Sequence, residues 1–359
     1  MSGNIKEKVL VAMSGGVDSA AAALLIKNAG YKTAGITMKL WSSCEKVTDI
    51  NSGISNQDID DAKKIATALS IPHYVCSLGD SFRSYVIDKF IADYKDGATP
   101  NPCVECNRYI KFGKLFDSAA ELGYQKIATG HYARIKKTPS GRFVIKKAVD
   151  ISKDQSYVLW SLTQDKLANT LLPLGDYKKS EIRELAASCA FENAHKSDSQ
   201  DICFIPDGDY AGFICRETGD AFPSGNFIDT NGNILGKHSG IIKYTIGQRK
   251  GLGIALGKPM FVASKNPAAN TVTLCEDSEL YKKRLTASRI NFIACDTLTE
   301  PTRLTAKIRY KHDAAPATVI QIDADSFILE FDEPQRAIAK GQSVVLYDGD
   351  TLVGGGIIN

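Results

Sequence analysis

Lys8-Val9-Leu10-Val11-Ala12-Met13 is a short apolar run, and Ser14-Gly15-Gly16-Val17-Asp18-Ser19 after it is rich in glycine and hydroxyl groups. Ala20-Ala21-Ala22-Ala23-Leu24-Leu25-Ile26-Lys27 then favours a helix. The order predicts strand, tight turn and helix. Glycine lets the backbone turn sharply and bring N–H groups close to a ligand. The first turn of the next helix has unpaired N–H donors and a partial positive charge. A phosphate seated there satisfies both, with Ser14 and Ser19 as added hydroxyl donors. Asp18 would repel a bare phosphate, so its expected partner is a metal ion that bridges phosphates. The spacing is neither G-x-x-x-x-G-K-[ST] nor G-x-G-x-x-G. A strand-to-helix turn with no ligand is the plain alternative.

Further strands are predicted at Thr33–Met38, His73–Cys76 and Lys126–Thr129, with helices near 18–29, 57–70, 79–95 and 107–122. Such alternation implies right-handed crossovers and a parallel sheet, so the expected class is α/β. Ligands in such sheets bind at the carboxyl ends of the strands. Ser14 follows the first strand, Met38 closes the second, and Gly130-His131 follow the fourth, which places all three at one edge. Met38 there packs on either an adenine ring or the core. A hairpin is predicted at Tyr132–Lys137 and Arg142–Lys147, then helices near 164–171 and 178–190. From about 204 the sequence is turn-rich, as in Pro206-Asp207-Gly208 and Asn231-Gly232-Asn233. From about 284 short strands dominate: Leu304–Tyr310, Ala317–Ile322, Ser326–Phe331 and Ser343–Tyr347. Regular short strands with glycine-rich turns read as a small β-barrel or sandwich. The expected domains are therefore a parallel-sheet nucleotide-binding domain over 1–205, a small central domain over 206–283 and a C-terminal β-barrel over 284–359.

The chain has 359 residues, 43% hydrophobic and 24% charged, which suits two or three ordinary globular domains. A formal net charge of +3 does not announce a nucleic-acid binder, so any RNA contact must come from a local arrangement of basic residues. No apolar stretch is long enough for a membrane span, and the run before Ser14 is too short for a secretory signal. The expected location is the cytoplasm. Nine cysteines are too few for a disulfide scaffold and are expected as thiols. Cys44, Cys76, Cys189, Cys215, Cys275 and Cys295 are scattered and read as small buried apolar residues.

Cys103 and Cys106 differ. They lie in Thr99-Pro100-Asn101-Pro102-Cys103-Val104-Glu105-Cys106-Asn107-Arg108-Tyr109-Ile110-Lys111. The prolines fix an extended loop, and Cys106 falls where the next helix is expected to begin. A helix N-terminus lowers a thiol pKa, as do cations such as Arg108 and Lys111. Cys106 is thus a candidate nucleophile. Structural zinc wants four ligands, and no second C-x-x-C occurs. A redox pair is a further reading, and so is an iron–sulfur cluster on Cys103, Cys106 and Cys203, although the cluster is not favoured.

The Ser14–Ser19 loop resembles that of the ATP pyrophosphatases, which cleave ATP between its α and β phosphates. Five further segments follow in order: Thr99–Asn107, Thr129-Gly130-His131-Tyr132-Ala133-Arg134, Lys153-Asp154-Gln155-Ser156-Tyr157, Asp201-Ile202-Cys203-Phe204, and Tyr244 to Gly253. Together the six resemble the tRNA-specific 2-thiouridylase family over nearly the full chain. The resemblance implies ATP-dependent sulfur insertion at C2 of the wobble uridine of tRNA, with Mg²⁺ on the phosphates. It implies that Ala12, Met13, Ser14, Gly15, Gly16, Val17, Asp18, Ser19, Met38 and Gly130 bind the nucleotide. It makes Cys203 the carrier of a persulfide and Cys106 the nucleophile paired with it, with a disulfide between them after transfer. Some members carry Asp where this chain has Cys103, so no acid–base role passes to that position; Asp198 is one substitute.

Asn101, Pro102 and Cys103 would lie against the target base, and His131, Lys153, Asp154 and Gln155 against the anticodon region. Arg309, Tyr310 and Gln342 are further implied tRNA contacts. Strand alternation through Thr305–Lys311 would put Lys307, Arg309 and Lys311 on one face, as a phosphate track or a charge-guarded barrel edge. The implied partners are the tRNA anticodon stem-loop and a sulfur donor, either a relay protein or a cysteine desulfurase. The competing readings are an amide-forming ATP pyrophosphatase, which needs no cysteines, and a non-catalytic RNA-binding or iron–sulfur carrier.

Overall fold

The computed structural model describes residues 7–40, 56–188 and 202–359. The first strands in chain order are β1 (Lys8–Ala12), β2 (Lys32–Lys39), β3 (His73–Ser77), β4 (Lys126–Ala128), β5 (Ala133–Lys137), β6 (Phe143–Lys147) and β7 (Thr170–Leu171). Five of them form a parallel sheet in the order β3-β2-β1-β4-β7. β1 is central, with Val9 opposite both Thr33 and Lys126. Val9, Leu10 and Val11 are all fully buried, as a strand covered on both faces requires. Helix α1 (Val17–Asn28) follows the glycine turn. Its Ala20–Ala23 are fully buried and share a core with Ile182 and Ala186 of the Lys179–Ser188 helix. These short side chains let the helix lie close on its neighbours.

Three predicted helices differ in detail. The 164–171 helix stops at Ala168, and Thr170–Leu171 become the edge strand β7. The 79–95 segment is interrupted by a π-helical turn, Arg83–Ile87. The 107–122 helix starts earlier, at Pro102, and is π-helical over Cys106–Lys114. Proline at the first helical position loses no hydrogen bond, because that N–H has no partner in a helix anyway. β5 and β6 form the expected hairpin, and Leu352 pairs with Ile145 of β6.

Contacts divide the chain into two compact units. One comprises Met1–Val86, Cys103–Pro206 and Gly349–Val353; the other comprises Ile87–Pro102, Asp207–Asp348 and Gly354–Asn359. In the second unit, β8 (Gly225–Ile228), β9 (Ile234–His238), β10 (Phe261–Asn266) and β11 (Thr271–Cys275) form a sheet ordered β10-β11-β8-β9. β12 (Tyr281–Phe292), β13 (Thr302–Lys307), β14 (Ala315–Gln321), β15 (Ser326–Arg336), β16 (Ser343–Asp348) and β17 (Thr351–Ile358) run in the order β12-β15-β14-β13-β16-β17. Pairing of Ala287 with Ile358 closes them into an antiparallel barrel, which leaves no open edge. The Asp88–Lys95 helix belongs to this unit, where Phe90 and Tyr94 pack on Tyr210 and Phe213. No helix among the described residues is long and apolar enough to cross a membrane.

Candidate active site

The Ser14–Ser19 loop turns through Gly15 at φ +72°, where a Cβ would stand 2.6 Å from the Asp58 carbonyl oxygen. Ser19 Oγ donates to the Gly16 carbonyl at 2.9 Å and accepts from the Ser14 N–H at 3.1 Å. Gly16 caps α1 with no side-chain cap hydrogen bond. Loop and helix therefore fit the phosphates of a nucleotide. Asp18 is held from two sides: Lys179 Nζ donates to its carboxylate oxygens at 2.7 and 2.8 Å, and the Tyr132 hydroxyl donates at 2.8 Å. Mg²⁺ commonly joins one or two carboxylates to substrate phosphates, and Asp18 is the carboxylate available for that in the loop. Met13 and Met38 are buried, while Ala12 is half-buried.

The thiols sit in the same unit. Cys106 is one turn inside the helix that begins at Pro102 and is buried. The expected helix N-terminus is thus not at Cys106, and its thiol is not lowered. Burial pushes it up to about 12, against the pull of Lys111 and with Cys203 and Cys103 adding to the rise. Cys103 and Cys203 are exposed, yet the protein packed around their sulfurs raises both thiols, Cys203 to about 11. Lys111 opposes the rise in each. Arg108 stands elsewhere, over the Tyr109 ring at 5.3 Å. Among the described residues, no group of three or more His, Cys, Asp or Glu is placed to hold a metal ion. Asp198, Cys44 and Cys189 lie outside the described residues.

Loop and thiols are linked through Gly130 and His131. A Cβ on Gly130 would stand 3.0 Å from the Asp18 backbone carbon and 3.1 Å from the Ser19 nitrogen, so any side chain there would press on the start of α1. His131 Nδ1 lies 2.7 Å from Thr129 Oγ1, and its ring is 5.8 Å from Phe112. Burial and the charge of Lys111 hold its pKa well below the ordinary value, so the ring is neutral at pH 7. Lys111 thus bears on His131 and on all three sulfurs.

The other implied RNA contacts are tied into the protein. The Asp154 carboxylate accepts from Ala148 N–H at 3.0 Å and Ser156 hydroxyl at 2.7 Å. Gln155 Oε1 accepts from Tyr132 N–H at 2.9 Å, while Lys153 is half-buried. Arg309 donates to the Ala337 carbonyl. β13 ends at Lys307, so Arg309, Tyr310 and Lys311 lie in the following bend and turn and not on one strand face. Gln342 Nε2 donates to the Thr99 carbonyl at 2.7 Å, and Thr99 N–H donates to the Lys340 carbonyl at 2.8 Å. Together they fix the loop that carries Asn101 and Pro102.

Residues 7–207 match a family model described as tRNA methyl transferase HUP domain, 211–276 one described as tRNA methyl transferase PRC-barrel domain, and 282–358 one described as aminomethyltransferase beta-barrel domain. The tRNA-specific 2-thiouridylase MnmA of Clostridioides difficile is 50% identical over 356 residues, 99% of this chain and 98% of that relative. The protein of the same name from Clostridium acetobutylicum is 50% identical over 355 residues, covering 99% of this chain and 100% of the relative. That of Lachnoclostridium phytofermentans is 47% identical over 354 residues, with 98% and 99% covered.

The chain belongs to the tRNA-specific 2-thiouridylase family. Within this thiouridylase fold, the sequence reading missed Lys179 and Tyr132. Tyr132 stands two positions after Gly130 but its residue type gives no sign of a carboxylate partner, and the Lys179–Asp18 ion pair spans 161 positions. One signal was present: a lysine opening a helix that packs on α1 can reach the Asp in its first turn.

Proposed function

We propose that this chain activates the C2 oxygen of the tRNA wobble uridine with ATP and replaces it with sulfur carried on Cys203. As a family member, the chain is a tRNA-uridine 2-sulfurtransferase. One observation carries the finer reading: a nucleotide cradle and three cysteines sit in one unit, joined through Gly130, His131 and Lys111.

An unactivated carbonyl oxygen is a poor leaving group, whereas AMP is a good one. The C2 oxygen attacks the α-phosphorus of ATP held on Ser14–Ser19, and pyrophosphate leaves. Bound Mg²⁺ would offset charge on the phosphates. Cys203 carries the incoming sulfur as a persulfide from a donor, either a relay protein or a cysteine desulfurase. Its outer sulfur attacks C2 and expels AMP. The Cys106 thiolate then attacks the Cys203 sulfur, which forms a Cys106–Cys203 disulfide and leaves the outer sulfur on the base. Two electrons from a reductant reopen the disulfide. Alternatively, Cys106 attacks first and frees the sulfur as hydrosulfide, with the same disulfide as product. Lys111 favours the thiolate in either order. Asn101, Pro102, Cys103, His131 and the Lys153–Gln155 segment are assigned as residues that contact the tRNA.

The test is thiolation of unmodified tRNA with ATP, Mg²⁺ and a sulfide or persulfide source, read by mass spectrometry of nucleosides. Anaerobic wild type runs beside Cys103→Ala, with and without iron–sulfur reconstitution. Product from cluster-free protein supports the relay. Product only after reconstitution, lost in Cys103→Ala, replaces the relay with a cluster. No product under any condition rejects the reading.

A further inference from the structure

The helical segment that opens with Cys106 carries Tyr109, which pairs with Tyr85 from a second helical turn. Tyr85 and Tyr109 stack with ring centroids 4.9 Å apart and planes 15° from parallel. The Arg108 guanidinium lies 5.3 Å from the Tyr109 ring centre. Tyr85 remains 40% exposed, so burial alone gives a weak reason for its ring to be there. Both tyrosines stand on π-helical turns, Arg83–Ile87 and Cys106–Lys114. Such turns are rare and occur often at functional sites. Cys106 opens the turn that holds Tyr109. Phe82, just before the turn that holds Tyr85, packs edge-on against Phe204 with centroids 5.7 Å apart, and Phe204 directly follows Cys203.

We propose that the Tyr85–Tyr109 stack, flanked by Arg108, is a platform on which an unstacked nucleobase of the tRNA anticodon loop lands beside the uridine being modified. This rests on the reading of the chain as a tRNA-thiolating enzyme. Thiolation at C2 requires the target uridine to leave its neighbours, and that exposes the face of an adjacent base. Single-stranded bases are held by stacking on aromatic rings and on arginine. A tyrosine already fixed by a second ring has little freedom left to lose when a base arrives. Every base has a π face, so the platform accepts any base identity and adds affinity without reading sequence.

The test uses the full-length protein and unmodified tRNA transcript. Wild-type 2-thiouridine formation is measured first, then tRNA Kd for Tyr85→Ala, Tyr85→Leu, Tyr85→Phe and Tyr85→Trp. The expected result is a Kd raised roughly 5- to 150-fold in Tyr85→Ala and Tyr85→Leu, with Tyr85→Phe and Tyr85→Trp near wild type. Should Tyr85→Ala fail to fold, the Leu and Phe variants decide, since both are apolar and only Phe keeps the ring. An unchanged Kd in Tyr85→Leu overturns the platform. So does an unchanged Kd accompanied by slower sulfur delivery from a donor protein, which would assign the surface to that protein. Absence of 2-thiouridine from wild type rejects the functional reading itself, whereas product with an unchanged Tyr85→Leu Kd rejects the platform alone.

Discussion

Lys179 Nζ lies within 2.8 Å of both carboxylate oxygens of Asp18, and the two residues come from different helices of the nucleotide-binding unit. The pair ties the first turn of α1 to the start of the Lys179–Ser188 helix. It also sets the aim of the carboxylate in the Ser14–Ser19 loop. Lys179→Met removes the ammonium and leaves the Tyr132 hydroxyl donating to Asp18 at 2.8 Å. Hydrogen bonds to charged groups contribute about 1.5–3 kcal/mol, and Asp18 is only partly buried, so the expected loss is ~2 kcal/mol. Urea unfolding should show it as a lower midpoint, and ATP-dependent pyrophosphate release should fall in parallel. A variant with wild-type midpoint and turnover would show that the pair does neither job.

Burial raises the Cys106 and Cys203 thiols to about 12 and about 11, and Lys111 acts against both shifts. Alkylation of Cys106 should therefore be slow near neutral pH and rise steeply only above pH 9. Lys111→Met should push the profile further up, and Lys111→Arg should restore it. A folded-state thiol pKa above the unfolded value gives stability that is full below the unfolded pKa of about 8.5 and is lost as pH rises above it. Alkaline unfolding should accordingly be blunted in Cys106→Ser. Cys106→Ser and Cys203→Ser should each abolish thiolation and leave tRNA affinity nearly intact. A large affinity loss in either would contradict the chemical roles.

The central strand and its turn were legible because their signal is local. Val9–Val11 must be buried on both faces, and the two glycines after them leave few backbone options. The four longer parallel strands followed from the same alternation. β7 escaped because two residues, Thr170 and Leu171, carry no period, and the pattern before them is helical. The start of the thiol helix was misplaced because Pro102 reads as the end of an extended loop as readily as the first position of a helix. Only packing decides between these. The sign of the Cys106 shift was missed for the same reason. Neighbouring cations are visible in sequence, but burial depends on tertiary packing, and the further rise from Cys203 comes from a residue distant in the chain. The Asp88–Lys95 helix joined the second unit through Phe90 and Tyr94, whose partners Tyr210 and Phe213 carry no local cue.

Gly341 makes the loop before Cys103 possible. It has φ +87°, and a Cβ there would lie 2.8 Å from Ala98 Cβ and 3.1 Å from the Thr99 nitrogen. Its neighbours bond both backbone groups of Thr99, and Lys340 Nζ pairs with Asp96 at 2.6 Å. Gly341→Ala should force this clamp open. The expected readout is faster amide exchange at Ala98–Asn101 without tRNA, together with at least tenfold lower thiolation and an unchanged ATP affinity. Gln342→Ala should show the same exchange at lower amplitude, because one of the two bonds survives. Unchanged exchange in Gly341→Ala would mean that the clamp does not hold the loop.

Burial lowers the pKa of His73, His131 and His238, and a lowered histidine makes the fold sensitive to acid. His238 Nδ1 accepts from the N–H groups of Gly225 at 3.3 Å and Gly240 at 3.2 Å, and Nε2 faces the Asn270 carbonyl at 3.1 Å. That arrangement fits a neutral ring with its proton on Nε2. A second proton on Nδ1 would face two donors. Burial lowers the His238 pKa, and burial together with Lys111 lowers that of His131 well below 6.5. A lowered histidine pKa gives stability that is full above the unfolded value of about 6.5 and is lost as pH falls through the folded one. Thermal midpoints should therefore be flat from pH 8 to 7 and drop between pH 6.5 and 5. His238→Gln should lower the midpoint at pH 7.5, because a bonded acceptor is disturbed, and should flatten the acid slope, because one titrating group is gone. An acid slope identical to wild type would remove His238 from the account and leave His131 and His73 as the groups to test.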